Sequence, residues 1–187
     1  AHEIGHWEWH RGQILHCQKE HIGGSGRRQG GLSRERSANR FAAELLMPSF
    51  MLREGLRAFS KFDMYVVGQL ADAFSVSKTA MAYRLIEMDD HQGFLVSHTK
   101  AGRQWFVRSK SIGHRWVPTD MLDQRSGAYD ILYNGAANDR FMSTVEGDIW
   151  FDAPWASEIE IREQAFRVSE DEVMTLIVAK DERMLAD

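Results

Sequence analysis

Cysteine is almost absent. Cys17 is the single one in 187 residues, which excludes an internal disulfide framework and makes a reducing, cytoplasmic setting the expectation. With no activating partner in view, Cys17 reads as a small packed side chain, and cysteine proteolysis is disfavoured. No stretch approaches the roughly 20 consecutive apolar residues of a membrane span, so no membrane partner is expected. Nothing at the N-terminus reads as a secretory leader. The glycines of residues 22–33 lack the preceding strand and following helix of a nucleotide-binding fingerprint, so they are given no phosphate role. That stretch reads as a surface connection or as a loop that orders on substrate. A chain of this length fits one domain or two small ones.

Charge is unevenly spread. Residues 1–62 hold ten Lys/Arg against six Asp/Glu, and residues 63–187 hold thirteen against twenty-one, so the halves carry +4 and −8. The acidic second part is a poor match for a phosphate backbone. The basic residues of the first part read as solvated arginines on helix faces.

What is present begins at once. Residues 2–6 spell His-Glu-x-x-His. On a helix His2 and His6 stand one turn apart on the same face, so both imidazoles can reach one Zn²⁺ at about 2.0–2.1 Å. Glu3 lies about 100° round from His2 and can reach a water at the metal's open position rather than the metal. One turn of backbone thus supplies two ligands and a general base, although a surface helix with two histidines would spell the same. The helix is expected to run from His2 to about His16, with Ile4, Trp7 and Leu15 apolar and Gly12 weakening or ending it. The metzincin pattern would need Gly at position 9 and His at position 12, where this chain has Trp9 and Gly12. His10 reads as a packing or supporting residue rather than a ligand, and His16 and His21 as solvent-exposed.

A second helix is expected to start with Ser33 as N-cap and to stop at Pro48. Ala38, Phe41, Ala42, Leu45 and Leu46 recur at helical spacing as a core-facing stripe. Glu35 precedes Ala38 by three residues and Ala42 by seven, which places it on the stripe's side. A carboxylate there is costly unless paired or bound to metal, so Glu35 is the candidate third zinc ligand. Glu44 points elsewhere and reads as solvated.

His2-Glu3-Ile4-Gly5-His6 with Trp7-x-x-His10, then Glu35-x-x-Ala38-Asn39-x-Phe41-Ala42-Ala43-x-Leu45-Leu46-Met47-Pro48, resembles the ImmA/IrrE family of metallo-endopeptidases. The likeness is close over about the first fifty residues and loose over the next forty. It implies His2, His6 and Glu35 as zinc ligands and Glu3 as the base. It further implies a cytoplasmic peptidase that cleaves helix-turn-helix repressors and so de-represses mobile elements or stress genes. One departure is that a substantial segment precedes the zinc helix in that family, whereas only Ala1 precedes His2 here. The chain is therefore expected to be a fragment or to have lost its start, with His2 in a first turn where helix bonding is weakest.

Residues 49–62 are expected to continue helical through Phe50, Met51, Leu52, Leu56 and Phe59. Residues 66–85 read as helix, turn, helix, packing through Leu70, Ala71, Phe74, Val76, Met81 and Leu85, with Ser77 capping the second helix. A DNA-binding role for this 66–90 pair is set against a purely structural one. Only Lys78 and Arg84 are basic on the second helix, and Glu87, Asp89 and Asp90 follow, so the structural reading is preferred. Beyond His91 the pattern turns to strands. A hairpin is expected from residues 94–97 and 104–108 around Lys100, Ala101 and Gly102. Further strands are expected at 148–152, 158–162 and 172–179, with Ile159 and Ile161 on one face of a half-buried antiparallel strand. A short helix is expected near 119–124. Trp105, Trp116, Trp150 and Trp155 read as core.

The expected architecture is α+β. A helical zincin-like part with the helix-turn-helix-like pair spans residues 1–91. A small, mainly antiparallel α+β domain for substrate recognition or sensing spans residues 92–187. The expected function is a zinc endopeptidase acting on a regulatory protein, with a second oxyanion donor among Tyr83, His91 and His10. The competing reading is a non-catalytic regulator that binds a protein, or less favourably DNA, through the 66–90 pair and the C-terminal domain. A zinc hydrolase of a non-peptide substrate is a third. Oligomeric state is not readable.

Overall fold

A computed structural model describes Ala1, Ile4 and residues 31–185, the side chains of 31–36 excepted. The chain divides into two compact units, residues 1–58 and 59–187.

In the first unit, helices α1 (Gly31–Leu46) and α2 (Ser49–Leu56) meet at a corner set by Pro48. Proline has no N–H with which to continue α1. Its carbonyl instead accepts from the N–H groups of Met51 and Leu52, at 3.0 Å each, opening α2. Glu44 closes the corner: its Oε1 accepts from Ser49 N at 3.0 Å and Ser49 Oγ at 2.7 Å. This exposed carboxylate thereby satisfies a first-turn donor that α2 cannot. α1 begins at Gly31, so Ser33 lies inside its first turn rather than capping it. Ala38, Met47 and Leu52 are buried. The expected stripe does not hold along the whole helix, because Leu45 and Leu46 are half exposed and Phe50 is 72 % exposed. Spacing defines a face, but burial also needs a covering element, and none described covers this end. α2 stops at Leu56, and residues 57–63 are turns rather than further helix.

The second unit opens with α3 (Met64–Phe74) and α4 (Lys78–Met88). Asp63 caps α3, accepting from Tyr65 N at 3.0 Å and Val66 N at 3.1 Å. Ser77 caps α4 through Ala80 N at 3.1 Å, as its position before the second apolar period suggests. Both helices close on left-handed residues, Ser75 (φ 54°) and Asp89 (φ 66°).

Five antiparallel strands follow: β1 (Gly93–Thr99), β2 (Gly102–Arg108), β3 (Ser143–Glu146), β4 (Glu160–Ser169) and β5 (Glu172–Ala179). Their order is β2-β1-β5-β4-β3. With the helices early and this sheet in the C-terminal part, the fold is α+β. α4 lies against β1 and β2, and Thr79 reaches the Met174 sulfur at 3.7 Å across the same face. Met64 N donates to Gln164 Oε1 at 2.8 Å. The opposite face carries Phe94, Val96, Ile161, Ala165, Val173 and Ile177, which build the main core with helix α5 (Gly127–Tyr133), Trp116, Trp150 and Phe151. Each such large apolar side chain contributes about 1.5–3 kcal/mol. Gly93 is required where β1 meets β5, since a Cβ there would lie 2.2 Å from the Ile177 carbonyl oxygen.

Several expectations in this unit are corrected. The helix near 119–124 is instead α5. The Asp123 side chain and carbonyl hold Arg125 N (2.8 Å) and Ser126 Oγ (2.8 Å) in a turn, and Ser126 becomes the cap. Residues 148–152 are not a strand. Trp150 N and Phe151 N bond to Gly147 O at 3.0 and 2.9 Å, and one bridge joins Phe151 to Pro118. Ile149, Trp150 and Phe151 are buried, so the short apolar run signalled burial and not extension. β3 is a short, mostly exposed edge strand that pairs only with Glu160–Glu163. Beyond it two side chains replace a neighbouring strand. Asp139 Oδ2 accepts from Ala165 N (2.7 Å) and Asn138 Oδ1 from Arg167 N (2.7 Å), while Asp139 N donates to Ala165 O (3.0 Å).

Candidate metal centre

His2, Glu3, His6, His10, His16 and His21 lie outside the described residues, as does Cys17. Within the first motif only Ile4 is described; its backbone is helical and its side chain exposed. Glu35 is on α1. Its place three residues before Ala38, which is 0 % exposed, and seven before Ala42 sets its backbone on the buried side of the helix. Two imidazoles and one carboxylate are a donor set suited to Zn²⁺ with one position left open.

Tyr83 and His91, considered as oxyanion donors, belong to the second unit. Tyr83 packs on Trp105 with ring centroids 6.2 Å apart. His91 stacks on Phe62 at 4.4 Å, and burial lowers its pKa against the opposing pull of Asp90. On α4, Arg84 is buried, with Glu87 Oε2 at 3.7 Å. One of the two basic residues that a recognition helix would have offered is thus withdrawn from solvent. Trp116 and Trp150 are fully buried, as expected, whereas Trp155 is partly exposed.

A polar cluster that the sequence reading missed crosses the α5-facing side of the sheet. Glu163, on β4, is 2 % exposed. Its Oε1 accepts from Gly127 N at 2.9 Å, at the start of α5, and its Oε2 from the Trp150 indole. Burial pushes its carboxyl above the ordinary range, and the Asp139 and Asp123 charges add to that. Asp139 is likewise raised by burial. His98 is 0 % exposed; its Nε2 meets Thr119 O at 3.2 Å and its ring lies edge-on to Trp150 at 5.8 Å. Burial lowers its pKa. The alternation that marked Ile159 and Ile161 would have found Glu163 had the strand been carried past Arg162. Among the described residues no group of three or more His, Cys, Asp or Glu is arranged to hold a metal. No described helix is long and apolar enough to cross a membrane.

Compared with known families, residues 1–86 match the IrrE N-terminal-like domain, a peptidase family. No curated protein matches the chain.

Proposed function

We propose, from the match of residues 1–86 to the IrrE N-terminal-like domain, a peptidase family, that the chain is a zinc-dependent endopeptidase. Its substrate would be a regulatory protein of the helix-turn-helix repressor type, cut in the cytoplasm to relieve repression during stress or in mobile-element control. The pairing of His-Glu-x-x-His at residues 2–6 with Glu35, all inside the matched segment, carries this reading.

His2, His6 and Glu35 would hold the ion, and Glu3 would stay off it. When bound, zinc supplies a Lewis acid that acidifies a water molecule and polarises the scissile carbonyl. Glu3 takes the proton of the attacking water and delivers it to the leaving amine. Residues 1–91 form the catalytic part in this reading, and residues 92–187 recognise substrate or sense a signal. DNA as a partner finds no support: Arg84 is buried, and residues 63–187 carry thirteen basic against twenty-one acidic residues.

Zinc stoichiometry by elemental analysis, on the parent and on Glu35→Ala side by side, tests the assignment. About one zinc in the parent and little in the variant is expected. Equal zinc in both would remove Glu35 from the centre, and none in either would overturn the metallopeptidase reading for this chain.

A further inference from the structure

The cluster in the second unit holds more polar atoms than its own bonds satisfy. His98 on β1, Thr175 on β5 and Glu163 on β4 share one face of the sheet. Thr175 pairs with Val96 on one side and Ala165 on the other. His98 lies two residues beyond Val96 and Glu163 two before Ala165, so Thr175 is the diagonal neighbour of both. Trp150 spans the group, its indole N–H on Glu163 and its ring against His98. Thr119 is tied in through its carbonyl on His98 Nε2 and its N–H on Trp150 O, the latter at 2.8 Å. Glu163 uses both oxygens. By contrast His98 Nδ1, Thr119 Oγ1 and Thr175 Oγ1 are buried with no hydrogen-bond partner among the described residues. They are three of five such atoms among the described residues, with Trp116 Nε1 and Asp148 Oδ1, and each buried polar atom left without a partner calls for an explanation.

We propose that His98, Thr119 and Thr175 line a buried site for a small, neutral, hydrogen-bonding molecule. The tautomer sets what that guest must offer. Nε2 faces a carbonyl and so carries the ring proton, which leaves Nδ1 as a bare acceptor. The guest therefore donates an N–H or O–H to Nδ1, and the two hydroxyls serve its remaining donors and acceptors. A charged guest is disfavoured, since the surrounding Phe94, Val96, Val173 and Ile177 are apolar. Water is the smallest molecule of this class; small amides and alcohols are the next. The site touches α5 through Trp150, Glu163 and Gly127.

The test uses the full chain labelled with ¹⁵N. The His98 Nδ1 resonance of the parent decides first: a hydrogen-bonded acceptor shift is expected, and a free-acceptor shift overturns the proposal without any variant. Thr119→Val and Thr175→Val then read the hydroxyls through the midpoint of urea unfolding. Deleting a hydroxyl that holds a guest lowers the midpoint, whereas deleting an orphaned buried hydroxyl raises it. A fall in both is expected, and a rise in either removes the three-residue site. Native mass spectrometry of the parent distinguishes the sources. A bound adduct of constant mass identifies an organic guest; its absence, with water-to-imidazole cross-relaxation at His98, identifies water.

Discussion

Replacing Glu163 tests how the second unit is held together. The side chain accepts one hydrogen bond from the first N–H of α5 and one from the Trp150 indole, and it is 2 % exposed. Glu163→Ala leaves both donors buried without an acceptor, at about 1–3 kcal/mol each, hence about 2–6 kcal/mol together. That is a large share of the about 5–15 kcal/mol that a whole domain commands. Glu163→Gln presents an amide N–H₂ to one of the donors and loses one bond, about 1–3 kcal/mol. Urea unfolding followed by tryptophan fluorescence and far-UV circular dichroism reads both variants. A Glu163→Ala variant within about 0.5 kcal/mol of the parent, the range of an ordinary surface change, would refute the bonding scheme. The pH dependence has a definite sign. Burial raises the carboxyl above its unfolded value, so the native state keeps this proton to higher pH than the unfolded chain does. The stabilisation is complete below the unfolded value of about 4.3 and is lost as pH rises through the raised native value. Glu163→Gln should flatten that part of the profile, leaving the slope of the same sign from Asp139.

If residues 1–91 are catalytic as proposed, Glu3→Gln should keep zinc, read by elemental analysis, while cleavage of a repressor-type substrate falls by about 10²–10⁴-fold; normal cleavage would remove Glu3 as the base. Ser75→Gly should stabilise by up to about 1 kcal/mol, because glycine takes its φ of 54° without penalty. Asp89→Gly should destabilise despite a similar φ of 66°, since it loses the carboxylate that accepts from Ser111 N (3.1 Å) and Ser111 Oγ (2.7 Å). Thermal midpoints compare the pair, and a matching sign would show that backbone strain outweighs the Ser111 bonds. Gly93→Ala should cost several kcal/mol or prevent folding of the second unit, because its Cβ would meet the Ile177 carbonyl oxygen at 2.2 Å; near-parental circular dichroism and midpoint would contradict that.

Features written as local chemistry were legible in the sequence. The hairpin could be read because Lys100, Ala101 and Gly102 separate two apolar runs, and Gly102 takes φ 114°. The Ser77 cap and the burial of Ile159 and Ile161 follow the same logic. Features decided by tertiary contact were not. Residues 148–152 carry the hydrophobicity of a strand, but Gly147 draws them into a tight turn beneath Trp116 and α5. β3 has no apolar face to announce it and exists only because β4 offers an edge. Leu45 has the right spacing for burial and no described neighbour to bury against. The proposed zinc ligands rest on spacing in the sequence, because metal chemistry demands a spacing that the sequence displays. Of that proposed centre, α1 supplies the backbone position of Glu35.

Asn138 and Asp139 occupy the margin of the sheet where β3 has ended, and they make its colloidal behaviour depend on two side chains. The stretch they cover, Ala165–Arg167, includes Phe166 and adjoins Val168, a short segment of the kind that templates fibrils when its backbone is bare. A covering strand can loosen at one end and still block growth at the other. Here the cover is one amide oxygen, one carboxylate oxygen and the Asp139 N–H on Ala165 O, so losing either side chain bares part of this edge. Concentrated solutions of the chain should stay clear for as long as those two oxygens remain in place.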